Sequence, residues 1–302
     1  MVLITLPEAA RGARTLAGVT LAAALLLAGC GGGSPGAGPV ADAIAGKAPA
    51  AVAKNARDVT RAAGSSKMEG DFSFTMSGAG FNDSFDGHMT GVYDFAAQIG
   101  EFDGTTAGGT VPAMTMHSIV ARNVVYERFP GADRWARTDY SKLVNTPIGQ
   151  QDPSQQLDLL IGISDDVREL GTEQLRGTSV HHYAITIDPK RLVANTTVVT
   201  PGSPLESAAK SVTPIPGDVY VDEQGRVRRL VVTIEVLGRN ADLASMGLGD
   251  QSQNEQLKQM LADRRSAMHW DIQYFDFGTA VSTREPDASK VVDGPLPFNL
   301  PR

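Results

Sequence analysis

Two successive stretches of this 302-residue chain alternate apolar and polar side chains with little interruption. Met68, Gly70, Phe72, Phe74 and Met76 share one parity, while Glu69, Asp71, Ser73 and Thr75 share the other. Past Gly78 to Asn82, Phe85, Gly87, Met89, Gly91, Tyr93 and Phe95 stand against Asp86, His88, Thr90 and Asp94. Residues two apart on a strand point the same way, so each stretch reads as a strand with one buried and one wet face. The short glycine-bearing link makes them antiparallel neighbours in a meander.

The rest of the chain extends that sheet. A strand at Ile99 to Asp103, a glycine-rich loop at Gly108-Gly109 and a hairpin from Ala113 to Phe129 turning near Arg122-Asn123 follow. Further strands are expected at Val167 to Thr172, Val180 to Asp188, Val219 to Asp222, Val227 to Leu237 and Met268 to Phe275. In the last, Met268, Trp270, Ile272 and Tyr274 align against His269, Asp271 and Gln273. Helical spacing appears first at Val52, Ala56, Val59 and Ala63, closed by Gly64. It returns at Leu157, Leu160 and Ile161 behind Asp152-Pro153, within Pro189 to Lys210, and through Leu257, Met260 and Leu261. Many antiparallel strands with a few helices between them define an α+β fold, the helices covering one side of a curled sheet and the other side staying wet.

The N-terminus carries a different signal. Arg11 and Arg14 precede the apolar run Leu16 to Leu27, which ends in Leu27-Ala28-Gly29-Cys30 and is followed by Gly31-Gly32-Gly33-Ser34-Pro35-Gly36. The run is too short to span a bilayer as a stable helix. The segment resembles a bacterial lipoprotein signal ending in a lipobox. That resemblance implies a diacylglyceryl group on the Cys30 thiol, cleavage before Cys30, and acylation of the new amine by a fatty acid such as palmitate. Two or more chains hold a protein on a membrane where one holds it marginally. The expected organisation is a signal peptide at 1–29, a flexible Gly/Pro/Ala tether at 30–50 and a single domain at 51–302, exported and anchored to the outer leaflet of the cell membrane.

Charge and cysteine narrow the chemistry. The formal net charge is −7, and loss of Arg11, Arg14 and Glu8 with the leader leaves the mature chain one unit more negative. No basic cluster stands out, which argues against a nucleic-acid partner. Cys30 is the only cysteine, so an exported domain has no disulfide and no thiolate ligand or nucleophile of its own.

The order of elements, together with Val219-Tyr220-Val221-Asp222-Glu223-Gln224-Gly225-Arg226-Val227-Arg228-Arg229-Leu230 and Phe275-Asp276-Phe277-Gly278-Thr279-Ala280-Val281, resembles actinobacterial lipoproteins of the LppX/LprG type. These are similar in fold to the lipoprotein carrier LolA. The resemblance covers Asn55 to Asp293 and implies a strongly bent antiparallel half-barrel with helices on its concave face around a hydrophobic cavity. It implies binding and transfer of a lipid or acylated ligand in the cell envelope, with no catalysis, no cofactor and no metal. A membrane transporter or signalling partner fits the same picture, since similar folds occur in envelope-stress sensors. The excursion Asn240 to Asp263 and the longer loop after Asp103 depart from the family pattern.

Candidate chemistry is sparse. Ser207-Ala208-Ala209-Lys210 matches the S-x-x-K pattern of penicillin-interacting serine enzymes, but no S-D-N or K-T-G string accompanies it, so a hydrolase using Ser207 and Lys210 is the weaker alternative. His181 and His182 are adjacent and point to opposite faces of a strand, so they cannot chelate one ion together. Asp165-Asp166 and Asp222-Glu223 lack the spacing of a calcium loop and read as turn and cap residues. Asn195-Thr196-Thr197 is a glycosylation sequon by pattern only. The residues expected to line a greasy cavity are Phe72, Phe74, Met76, Met89, Gly91, Tyr93, Met114, Met116, Trp270 and Tyr274; close packing as an ordinary core is the competing reading for each. Thioethers suit adaptable apolar contact. Gly70, Gly87 and Gly91 on the same faces are expected to leave room for a ligand.

Overall fold

In the computed structural model, residues 42–78, 80–139, 153–195, 213–237 and 262–294 are described. The two alternating stretches form β1 (Ser65–Gly78) and β2 (Phe81–Asp94), paired antiparallel along their full length from Ser65↔Asp94 to Gly78↔Phe81. Because opposite residues of an antiparallel pair share a face, this register stacks the apolar parity of one strand on that of the other. β3 (Ile99–Gly108), β4 (Val111–Ala121), β5 (Val124–Arg128) and β6 (Trp135–Asp139) continue the meander outward from β2. β7 (Arg168–Leu175), β8 (Thr178–Ile187), β9 (Ile215–Asp222), β10 (Val227–Leu237) and β11 (Arg265–Phe275) form a second meander whose last strand pairs with the free side of β1. With β12 (Val291–Asp293) the sheet has the order β12-β6-β5-β4-β3-β2-β1-β11-β10-β9-β8-β7, open at both edges. Every neighbouring pair is antiparallel except β12 against β6.

Helices gather on one face. α1 (Pro49–Ala62) has proline in its first turn and touches β7 to β10 and the 3-10 turn Leu159–Gly162, which follows α2 (Pro153–Asp158). The stripe predicted at Val52, Ala56, Val59 and Ala63 is rotated: Val52, Ala53, Ala56 and Thr60 are buried, while Val59 is 36% exposed. The cause is Thr60, whose hydroxyl donates to Ala56 O and accepts from Val227 N–H, so the side of α1 that carries Thr60 turns to the sheet. Asp158 then binds Arg57 at 2.6 Å and Arg61 at 2.9 Å, tying α1 to α2. α3 (Pro189–Asn195) packs on the same 3-10 turn. Among the described residues no helix is long and apolar enough to cross a membrane.

The core lies between these helices and the sheet. Leu157, Leu160, Ile163, Met68, Tyr93, Ile187, Val219, Leu230 and Tyr274 are all nearly inaccessible. Full burial of such side chains contributes about 1.5 to 3 kcal/mol apiece.

Two expectations change. The far side of the sheet is not uniformly wet: the chain after β11 crosses it as a strap. Gly278 N–H donates to Ser65 O, Ser65 Oγ donates to Thr279 O at 2.6 Å, and Tyr126 Oη donates to Glu285 at 2.7 Å. The strap ends as β12, and Val291 packs on a separate apolar cluster of Ile119, Ala121, Tyr126 and Trp135. These four sit on the parity opposite to the main core, so a single buried face could not accommodate them. Second, β9 starts at Ile215 rather than at the expected Val219 and carries Pro216 inside it. The strap also explains β6: Trp135 and Arg137 form a strand because β5 and β12 pair on either side of it.

Candidate apolar binding face

The register places the predicted residues in lateral rows on the helical face. One row runs Tyr274, Met68, Gly91, Phe102, Ser118, Glu127. The next runs Leu230, Ile272, Gly70, Met89, Gly104, Met116. A third runs Val232, Trp270, Phe72, Gly87, Thr106, Met114, and a fourth Ile234, Met268, Phe74, Phe85.

Burial falls along these rows and across them. Tyr93, Tyr274 and Met68 are sealed at 0–1% exposure, and Trp270 is buried. Phe72, Phe74, Met76, Met89, Met114 and Met116 are half-buried, as are Phe85 and Met268. The ten predicted residues therefore divide. Tyr93, Tyr274 and Trp270 belong to the packed core, Phe72 and Met89 pack against its edge, and Phe74, Met76, Met114 and Met116 lie beyond it at the corner formed by β1 to β4. Phe85 joins two rings there, edge-on to Phe72 at 6.4 Å and tilted on Phe74 at 5.4 Å.

The glycines behave differently from expectation. A Cβ at Gly87 would reach 2.5 Å from Phe72 Cε1, and one at Gly91 would reach 2.8 Å from Phe102 Cγ and collide with the Glu101 carbonyl. The ring of the residue directly opposite covers each glycine, so neither position offers a gap to a ligand. At Gly70 the neighbour is Ile272 Cγ1 at 3.0 Å. Gly104, between Met89 and Met116, is the roomy one: the nearest atoms to its built Cβ are the His88 and Met116 carbonyl oxygens, at 3.6 and 4.0 Å. Sequence reading misses it because Gly104-Thr105-Thr106-Ala107 carries no large apolar side chain, so the apolar pattern ends the strand at Asp103.

Glu127 is the other residue missed. It shares the face of Ser118 and Phe102, and burial pushes its carboxyl above the ordinary range. Parity in the hairpin Ala113 to Phe129 carried the signal: Glu127 aligns with Val125, not with Tyr126.

On the opposite face the histidines take individual partners. His88 meets Asp71 at 2.7 Å, His117 meets Asp103 at 2.8 Å, and His269 meets Thr233 at 2.9 Å. His182 lies between Glu173 and Asp218, while His181, on the other side of β8, meets Glu169. Among the described residues no group of three or more His, Cys, Asp or Glu could hold a metal ion. Asp222 caps the turn into β10: its carboxylate accepts from Gln224 and Arg226 N–H and pairs with the Arg226 guanidinium at 2.8 Å. Asp165 is an ion-pair partner of Lys54 and Arg191, which hold its carboxyl down at about 2. A hollow of about 440 Å³ opens on β8 to β11 beside Asp218, Thr233 and His269, and one of about 320 Å³ beside Asp103, His117 and Arg128. Cys30, Ser207, Lys210 and most of the excursion Asn240 to Asp263 lie outside the described residues.

Fold and face together define a class: among the described residues, an open sheet of twelve strands, antiparallel but for one edge pair, with few helices and one apolar face only partly sealed. Residues 15–246 match the family model DUF7537, described as a family of unknown function, and the chain belongs to that family. No curated protein matches. Among solved structures it is similar to LprF from Mycobacterium bovis, at 12% identity over 79% of this chain and 96% of that one, with a TM-score of 0.44. It is also similar to the Mycobacterium tuberculosis lipoprotein LppX, at 12% identity over 78% and 98%, with a TM-score of 0.39. A LolA-superfamily protein from Nitrosomonas europaea matches at 8% identity over 76% and 94%, with a TM-score of 0.30.

Proposed function

We propose that this chain is an envelope lipoprotein that binds a lipid or other acyl ligand against the half-buried corner of its sheet. One observation supports this reading above the rest: Phe72, Phe74, Phe85, Met89, Met114 and Met116 occupy adjacent rows of one face and stay half-buried, while the adjoining rows are sealed. A folded domain seldom leaves so many large apolar groups together without an occupant. Thioethers and rings adapt to a flexible chain, and Gly104 leaves space between two of the methionines. In this reading the sheet bends around the ligand as a half-barrel, Cys30 carries the membrane anchor, and residues 30–50 are the tether. The protein carries its cargo between partners and performs no covalent step on it.

The test is mass spectrometry of organic extracts from the mature chain carrying Cys30→Ser, purified without detergent. A stoichiometric lipid or acyl species is expected. Ligand-free protein that also fails to take up added phospholipid would refute the reading.

A further inference from the structure

Beside the apolar corner, on β5, stands an ionisable group without a partner among the described residues. Among the described residues on the helical face of β1 to β6, the acids are Asp83, engaged with Thr110 at the β2 turn, and Glu127 on β5. Glu127 has neither a salt bridge nor a hydrogen-bond donor among the described residues, although it is half-buried and stands in the row of Phe102 and Ser118. An unpaired carboxyl on an apolar surface is costly to ionise, and burial holds its pKa above the ordinary range. Gly104 and Met116, the roomy part of the surface, lie in the adjacent row, on β3 and β4. Strand spacing puts Glu127 on the order of 10 Å from Gly104, less than the length of a ten-carbon chain. At the other end of the corner Thr106 Oγ1 is also buried without a partner among the described residues.

We infer that Glu127 is the head-group contact of this surface, receiving the hydrogen-bond-donating polar end, ammonium foremost, of a single-chain amphiphile whose tail lies over Gly104 and the methionines. The inference rests on the acyl-binding reading and adds the sign of its selectivity. A donor head gives the carboxyl the partner it lacks, and an ammonium forms an ion pair in a partly desolvated setting. A carboxylate head would bring a second negative charge to the same place and is rejected.

Isothermal titration of the Cys30→Ser mature chain at neutral pH with decylamine, decanol and decanoate tests this. Decylamine is expected to bind about tenfold or more tighter than decanoate, with decanol between them. In Glu127→Gln the ratio should fall to about twofold, with decanol affinity retained as evidence of folding. Asp103→Asn on the opposite face removes an equal charge and should leave the ratio intact. A preference that survives Glu127→Gln, or that falls equally in Asp103→Asn, overturns the head-group assignment while leaving acyl binding standing. Failure of wild type to bind all three overturns the acyl-binding reading itself, and this inference with it.

Discussion

Phe102 lies across Gly91: the two are directly opposite on β3 and β2, and a Cβ at Gly91 would come within 2.8 Å of the Phe102 ring. The same arrangement sets Phe72 over Gly87, and Tyr93 leans on Gly100. A glycine opposite an aromatic lets the ring lie across the sheet over the place where a side chain would stand.

Gly91→Ala should therefore be strongly destabilising, because both the Phe102 ring and the Glu101 carbonyl must move. An overpacking cost of about 1 to 3 kcal/mol is expected, read as a lower denaturant midpoint. Gly104→Ala meets only ordinary contacts and should change stability by less than about 1 kcal/mol. Equal losses in the two variants would show that the ring–glycine pair is not what limits position 91.

The strap should matter to the fold as a whole. Trp135 is 7% exposed, beneath Arg128 at 4.5 Å and within the cluster that Val291 joins. Trp135→Ala is expected to cost about 3 to 5 kcal/mol in chemical unfolding. A loss below about 1 kcal/mol would mean that the strap and its cluster open independently of the main core.

Asp165 gives a pH signature. Its carboxyl is held at about 2, against an ordinary 3.8, by hydrogen bonds and charge from Lys54 and Arg191. A depressed aspartate stabilises the fold above its unfolded value, and that contribution is lost as pH falls from about 4 towards 2. Wild type should therefore lose more melting temperature over that interval than Asp165→Asn. Parallel curves would show that the ion pairs contribute nothing, as exposed pairs often do.

The anchor is testable independently. Cys30→Ala should move the protein from the detergent-soluble membrane fraction to the medium, or leave an unprocessed precursor. Identical partitioning of mutant and wild type would remove the lipoprotein reading.

How much of this was legible in the sequence follows from which interactions are local. Alternation at Met68 to Met76 and Phe85 to Phe95 placed β1 and β2 and their apolar face, because parity needs no knowledge of partners. It could not separate Tyr93 and Tyr274, sealed in the core, from Met89 and Met116 at the open corner. That difference depends on what the rest of the chain packs against each strand, which parity within one strand does not carry. The room assigned to Gly91 is filled by Phe102, a residue on the next strand, and the cluster around Trp135 is buried by a segment some 150 residues later in the chain. Val59 reads as buried by spacing alone and turns outward because Thr60 binds Val227.

Photo-crosslinking with a diazirine-bearing acyl alcohol, followed by peptide mass spectrometry of the Cys30→Ser mature chain, reads the ligand's position directly. Adducts are expected on β2 to β4 around Met89, Met114 and Met116 and on β11 at Met268, and competition by unlabelled alcohol should remove them. Adducts confined to the opposite face, around His117, Arg128 or His269, or labelling that excess alcohol does not displace, would show that this corner holds no acyl chain.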